Sequence, residues 1–148
     1  MSLRFNYRSE NPESYETLIK LEGFINKSGL DKKIYELIKI RASQINGCAF
    51  CVDMHTTDLL KMGETSQRVN LISVWREAND IFTEKEKAVL ELTETVTLIA
   101  KNGVPQELYE KVRTFFSEKE YVDLIMAINT INCWNRIAIS TGMYPGCF

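Results

Sequence analysis

An all-α fold is what this sequence predicts, and three observations carry the prediction. Glycine and proline are scarce, at 7 and 3 of 148 residues, and they fall where elements would end rather than inside them. Apolar residues recur at the three- and four-residue steps of a helix. Two Ser/Thr-x-x-Glu capping boxes open apolar stretches, while no alternating apolar and polar run is bounded by an Asn-Gly or Asp-Gly hairpin signal.

The elements follow in order. Asn11-Pro12 reads as an N-cap with proline at the first helical position, and Tyr15, Leu18, Ile19 and Leu21 begin a stripe that runs to about Lys27. Gly29 stops that helix and Asp31 caps a second, whose Ile34, Leu37, Ile38 and Ile40 lead to Gly47. A third helix runs from about Cys48 to Met62 before Gly63, and a fourth from about Ser66 carries Val69, Ile72, Val74 and Trp75. Thr83 to Glu86 is the first capping box and opens a helix to about Ala100, which Asn102-Gly103 closes. Pro105 starts a short helix ending near Phe116, and the second box, Ser117 to Glu120, precedes the most apolar helix, Tyr121 to about Ile139. About seven helices in one domain over residues 1–148 are expected, with no repeat, linker or low-complexity tract. The last helix is apolar on most faces, so it is either central or covered by another subunit.

Composition narrows the function classes. With 45% hydrophobic and 26% charged residues, a chain of this length buries roughly 70% of the surface its unfolded form exposes, so it needs neither disulfides nor a structural metal to fold. A net charge of -2, from 18 basic and 20 acidic side chains, leaves no footprint for nucleic acid and no polybasic segment for a membrane. No apolar run exceeds five residues, and the first ten residues lack the hydrophobic stretch of a signal peptide. A cytoplasmic location is expected, where four cysteines are buried thiols, metal ligands or redox groups rather than structural bridges.

The sharpest chemical feature is Cys48-Ala49-Phe50-Cys51-Val52-Asp53-Met54-His55, which holds the one histidine of the chain. On a helix, Cys48, Cys51 and His55 follow one another at about one turn and share a face. Residues three apart on a helix have α-carbons roughly 5–6 Å apart, within the range a disulfide tolerates. Unpaired N–H groups and the positive dipole end in the first turn favour a thiolate over a thiol there. Three readings stay open on these residues. They are a redox-active pair, a zinc site in which Cys48, Cys51 and His55 are joined by Glu36, Cys133 or Cys147, and a redox-silent helical oligomer in which the cysteines are small buried hydrophobes. Trp75 and Trp134 read as core or interface anchors, Cys133 as a packed small side chain, and Cys147 as part of a mobile end. Asn132, Asn135 and Arg136 need partners if buried and are expected to tie the last helix to neighbouring loops or to line the pocket.

Together these residues resemble the alkylhydroperoxidase AhpD-like branch of the carboxymuconolactone decarboxylase family. The family core is a glutamate twelve residues before a CxxC and a histidine four residues after its second cysteine, which Glu36, Cys48, Cys51 and His55 match position by position. Val74-Trp75-Arg76-Glu77, Phe82 to Glu86, and Asn132-Cys133-Trp134-Asn135-Arg136 resemble the peroxidase-related members, and the likeness covers about residues 12–140. Glu36 is singled out by this resemblance alone, since it lies on a different helix from the cysteines. The resemblance implies an AhpD-like all-helical subunit with its redox core at about 31–63, assembled into dimers, trimers or hexamers. It implies a thiol peroxidase that uses no haem, metal or other cofactor, with Cys48, Cys51, His55 and Glu36 as catalytic residues. The substrate would be a peroxide and the partner an external dithiol or protein reductant, lipoylated in the best-known members. In those members a second histidine precedes the second cysteine, whereas here the position is Phe50. Decarboxylases of the family generally lack the CxxC, which argues against that chemistry here.

Overall fold

The computed structural model describes residues 2–148, and among them there is no strand. Eight α-helices run in the order α1 (Tyr7–Glu10), α2 (Pro12–Lys27), α3 (Lys32–Asn46), α4 (Ala49–Lys61), α5 (Ser66–Leu71), α6 (Glu84–Thr97), α7 (Gln106–Arg113) and α8 (Glu118–Thr141). The expected caps do their work. Asn11 accepts from the Ser14 N–H, Asp31 from the Ile34 N–H, and both capping boxes close in the two directions.

Two expectations are corrected. The four-residue α1 is additional to the seven helices expected, and it is too short to leave a periodic signal; Asn6 caps it by accepting from the Arg8 N–H. The expected fourth helix breaks after Leu71 into 3₁₀ turns at Ile72–Glu77 and Asn79–Ile81. A 3₁₀ step of three residues per turn puts Ile72 and Trp75 on one buried face, while Val74, at φ -123°, swings out to 51% exposure.

Helix α3 is the axis of the molecule. Every side chain from Ile34 to Ile40 is buried, because α3 serves two cores at once. Ile34, Tyr35 and Ile38 pack with α6 and α8 residues such as Leu92, Leu124 and Ile128. Leu37 and Ile40 pack on Leu59, Ile72, Trp75, Phe82 and Leu90. Helix α8 is central rather than covered only by another subunit, with Leu124, Ala127, Ile128 and Ile131 in the larger core. Among the described residues no helix is long and apolar enough to cross a membrane.

Two glycines place the site. Gly47, at φ 72°, ends α3 in the left-handed region, and the following Cys48 N–H closes back on the Ser43 carbonyl at 2.9 Å. That turn sends the chain directly into α4. Gly142, at φ 76°, ends α8 where a Cβ would stand 2.7 Å from the Ser2 carbonyl oxygen, and the N-terminal segment lies across this end through Arg4 N–H to the Thr141 carbonyl at 2.9 Å.

Candidate functional site

Because α3 is buried along its middle, its polar residues must find partners inside the protein. Glu36 is only 5% exposed, and its carboxylate takes two donors: Lys39 Nζ at 3.0 Å, one turn along α3, and His55 Nδ1 at 2.9 Å, from α4. An uncompensated carboxylate here would cost several kcal/mol. Burial pushes the Glu36 carboxyl up, but the His55 hydrogen bond and the Lys39 ammonium outweigh it and hold the group below the usual carboxylate range. With Glu36 as acceptor, Nδ1 of His55 carries the proton and Nε2 keeps its lone pair.

The chain of charges extends further than Glu36. Lys39 also lies 3.6 Å from Glu22 on α2, and Glu22 accepts from the Tyr35 hydroxyl at 2.8 Å and the Trp134 indole at 3.0 Å. Glu22, Lys39, Glu36 and His55 therefore form a continuous file across α2, α3 and α4, buried from Lys39 to His55 and half-buried at Glu22. Each carboxylate is fully engaged, which fixes the His55 ring.

The two cysteines face each other at the start of α4. Cys48 is the N-cap and Cys51 lies one turn on, with the sulfurs 2.6 Å apart and both side chains buried and free. The hydrogen bond between the two sulfurs lowers Cys48 to about 7 against the opposing effect of burial, and the Asn135 amide helps. The same bond, together with burial, pushes Cys51 up, while Asn135 and Ser43 pull it partly back. Above about pH 7 a pair of this kind holds one proton between its two sulfurs.

Asn135 is fully buried beneath the pair, donating to Ser43 Oγ at 2.9 Å and accepting from Asn46 at 2.9 Å. Asn132 accepts from the same Asn46 amide at 3.0 Å and donates to Thr97 at 3.0 Å. These residues tie α8 to the helices α3 and α6, where ties to neighbouring loops were expected.

A cavity of about 260 Å³ opens beside the pair, and Cys51, His55, Glu22 and Lys39 stand on its wall, with Phe50, Met54 and Trp134 supplying apolar surface. Cys48 does not reach it. Trp134, expected as a packing anchor, is a wall of this cavity as well as a donor to Glu22. Cys133, expected to pack as a small hydrophobe, is exposed on α8 because its neighbours Asn132 and Asn135 take the inward positions. Cys147 is half-buried near the C-terminus.

The zinc set allowed by spacing does not come together. Among the described residues, the group whose ligand atoms gather within 4.8 Å is Glu36, His55 and Asp58, without either cysteine. Sequence reasoning missed Glu22, Ser43 and the α1 residues Tyr7 and Arg8, which also line the cavity. Lys39 had a legible signal, one turn after Glu36; Glu22 had none.

Comparisons place this geometry among known proteins. The model of the carboxymuconolactone decarboxylase family matches residues 12–95. An uncharacterized protein of Bacillus subtilis, YdfG, is 49% identical over 142 residues, covering 96% of both chains. The alkyl hydroperoxide reductase AhpD of Maricaulis maris is 41% identical over 68 residues, which are 45% of this chain and 39% of that protein. Among solved structures, an Agrobacterium tumefaciens protein of unknown function associated with AhpD antioxidant defence superposes with a TM-score of 0.93 at 43% identity, over 97% of this chain and 99% of that one.

Proposed function

The chain belongs to the carboxymuconolactone decarboxylase family, and from that premise we propose that it is a dithiol peroxidase working through Cys48 and Cys51, with His55 and Glu36 as its proton relay. One observation carries the reading: two sulfurs 2.6 Å apart, of which Cys51 shares a cavity wall with a histidine held by a buried carboxylate. The AhpD relative supports a peroxide as substrate class.

The cycle starts with the proton of Cys51, which passes to Nε2 of His55 as the thiolate forms, while Glu36 stabilises the imidazolium through Nδ1. The Cys51 thiolate attacks the outer peroxide oxygen, the O–O bond breaks, and the departing alkoxide takes the proton from His55. Cys51 is now a sulfenic acid. The Cys48 thiolate attacks its sulfur, water leaves after uptake of one proton, and the Cys48–Cys51 disulfide forms. An external dithiol, free or carried by a protein, reduces the bridge by thiol–disulfide exchange. Cys51 is the attacking residue because it lines the cavity, and Cys48 is the resolving one because its sulfur stands 2.6 Å from that of Cys51.

The test is peroxide consumption with a panel of dithiol reductants, joined to thiol mapping. Mild peroxide should remove two thiols per chain and link Cys48 to Cys51, leaving Cys133 and Cys147 free. A bridge mapped elsewhere, or no peroxide consumption with any dithiol, overturns the reading.

The subunit also associates with copies of itself, a reading supported by apolar side chains that α8 leaves exposed, Val122 at its start and Ile139 near its end. Light scattering at micromolar concentration should return a multiple of 17.1 kDa, and a monomer mass contradicts the association.

A further inference from the structure

The geometry points to Arg8 as the anchor for a carboxylate on the substrate, so that the preferred ligand of the cavity is a compact peroxide with an apolar body and one acidic end. The inference rests on the peroxidase reading for its reacting group, but not for its anchor.

Four observations carry it. Arg8 lines the same cavity as Cys51 and His55. Its guanidinium lies 6.0 Å from the Tyr7 ring centroid, 5.1 Å from that of Tyr15 and 4.7 Å from that of Phe148, so three rings hold its plane. It makes no ion pair with any carboxylate among the described residues, and its buried Nε meets no acceptor. A buried guanidinium nitrogen is ordinarily paired, and the side of the group that carries Nε is the side that takes a carboxylate in two parallel hydrogen bonds.

The charge count selects a single negative charge. The other cation on the wall, Lys39, is held between Glu22 and Glu36 and has no charge to spare. One guanidinium without an ion pair thus matches a carboxylate rather than a doubly charged phosphate. Ile19, Phe50, Met54 and Met143 leave the rest of the wall apolar, which suits a hydrocarbon body between the acid and the peroxide. At about 260 Å³ the cavity is smaller than the roughly 300–1,000 Å³ of drug-sized sites, so a single ring or a short chain fits it. Anchoring at Arg8 fixes the distant end of the molecule, and the peroxide is thereby held toward Cys51.

The experiment compares cumene hydroperoxide with its para-carboxylate, which share a reacting group and differ in one charge. For the native chain, kcat/KM should favour the carboxylate roughly 10- to 100-fold, the range of a charge-assisted bidentate contact. Arg8→Met should erase that preference by slowing the carboxylate alone, and Arg8→Lys should restore part of it, because charge returns without the fork. A second arm reads binding without turnover: the para-carboxylate of cumyl alcohol, titrated calorimetrically, should bind the native chain at least 10-fold more tightly than Arg8→Met, while neutral cumyl alcohol binds both alike. No preference in the native chain, or an equal loss on both peroxides in Arg8→Met, overturns the anchor. If neither peroxide is consumed, the peroxidase reading fails and the binding arm alone decides the anchor.

Discussion

Cys51→Ser should abolish peroxide consumption, by at least roughly 10,000-fold, and should form no sulfenic acid with any peroxide. Of the two cysteines Cys51 is the one that lines the cavity, and a serine hydroxyl in the same place is not ionised at neutral pH. Cys48→Ser should behave differently. It removes the partner whose hydrogen bond and charge raise Cys51, so Cys51 keeps its access and burial alone is left to oppose its ionisation. One equivalent of peroxide should then be reduced per chain, with no disulfide and no turnover, and dimedone should trap the sulfenic acid at Cys51. In the native chain the Cys48 thiol is lowered to about 7, so its thiolate is present above that pH and lost as pH falls through it. Alkylation of Cys48 in the reduced native chain should therefore slow below about pH 7, while the first oxidation in Cys48→Ser should not follow that profile. Mass spectrometry after a single peroxide addition checks both variants. Sulfenic acid at Cys48 in Cys51→Ser would reverse the assigned order of attack.

The parts of the fold that were legible are those fixed by local chemistry. Asn11-Pro12, Asp31 and the boxes at Thr83 and Ser117 are short-range signals, and each caps the helix expected of it. What escaped depends on tertiary packing. The break after Leu71 follows from Ile72 and Trp75 being drawn into one core, and helical periodicity could not see it because Val74 fitted the same stripe.

The candidate site divides in the same way. Cys48, Cys51 and His55 share one helix, so spacing alone brought them together. Glu36 lies on the neighbouring helix and entered only through family resemblance, although it ends 2.9 Å from His55. Glu22 is further still, on α2, and only the packing of α2 in the folded chain brings it to Lys39. Cys133 was misjudged because an apolar neighbourhood in sequence does not say which side of α8 faces in. Asn132 and Asn135 point inward, since their amides have partners waiting on α3 and α6, and Cys133 is turned to the surface.

That dependence on a neighbouring helix makes the relay a demanding test. If His55 accepts the Cys51 proton and Glu36 stabilises the imidazolium, then His55→Ala and Glu36→Gln should each slow the first oxidation, within the roughly 100- to 10,000-fold that general acid–base help contributes. Glu36→Gln keeps the size of the side chain and can still accept from Nδ1, but its loss of charge removes the stabilisation of the imidazolium. It also leaves Lys39 with Glu22 alone, so thermal stability should be followed alongside the rate. The effects of the two substitutions should overlap, because a carboxylate that acts through an imidazole has nothing to act on once the imidazole is gone. The double variant should lose little more than the worse single one. Alkylation of Cys51 in a Cys48→Ser background, read against pH, isolates the step. The background profile should rise at lower pH than either relay variant, and unchanged profiles with helical content intact would leave Glu36 and His55 as structural partners only.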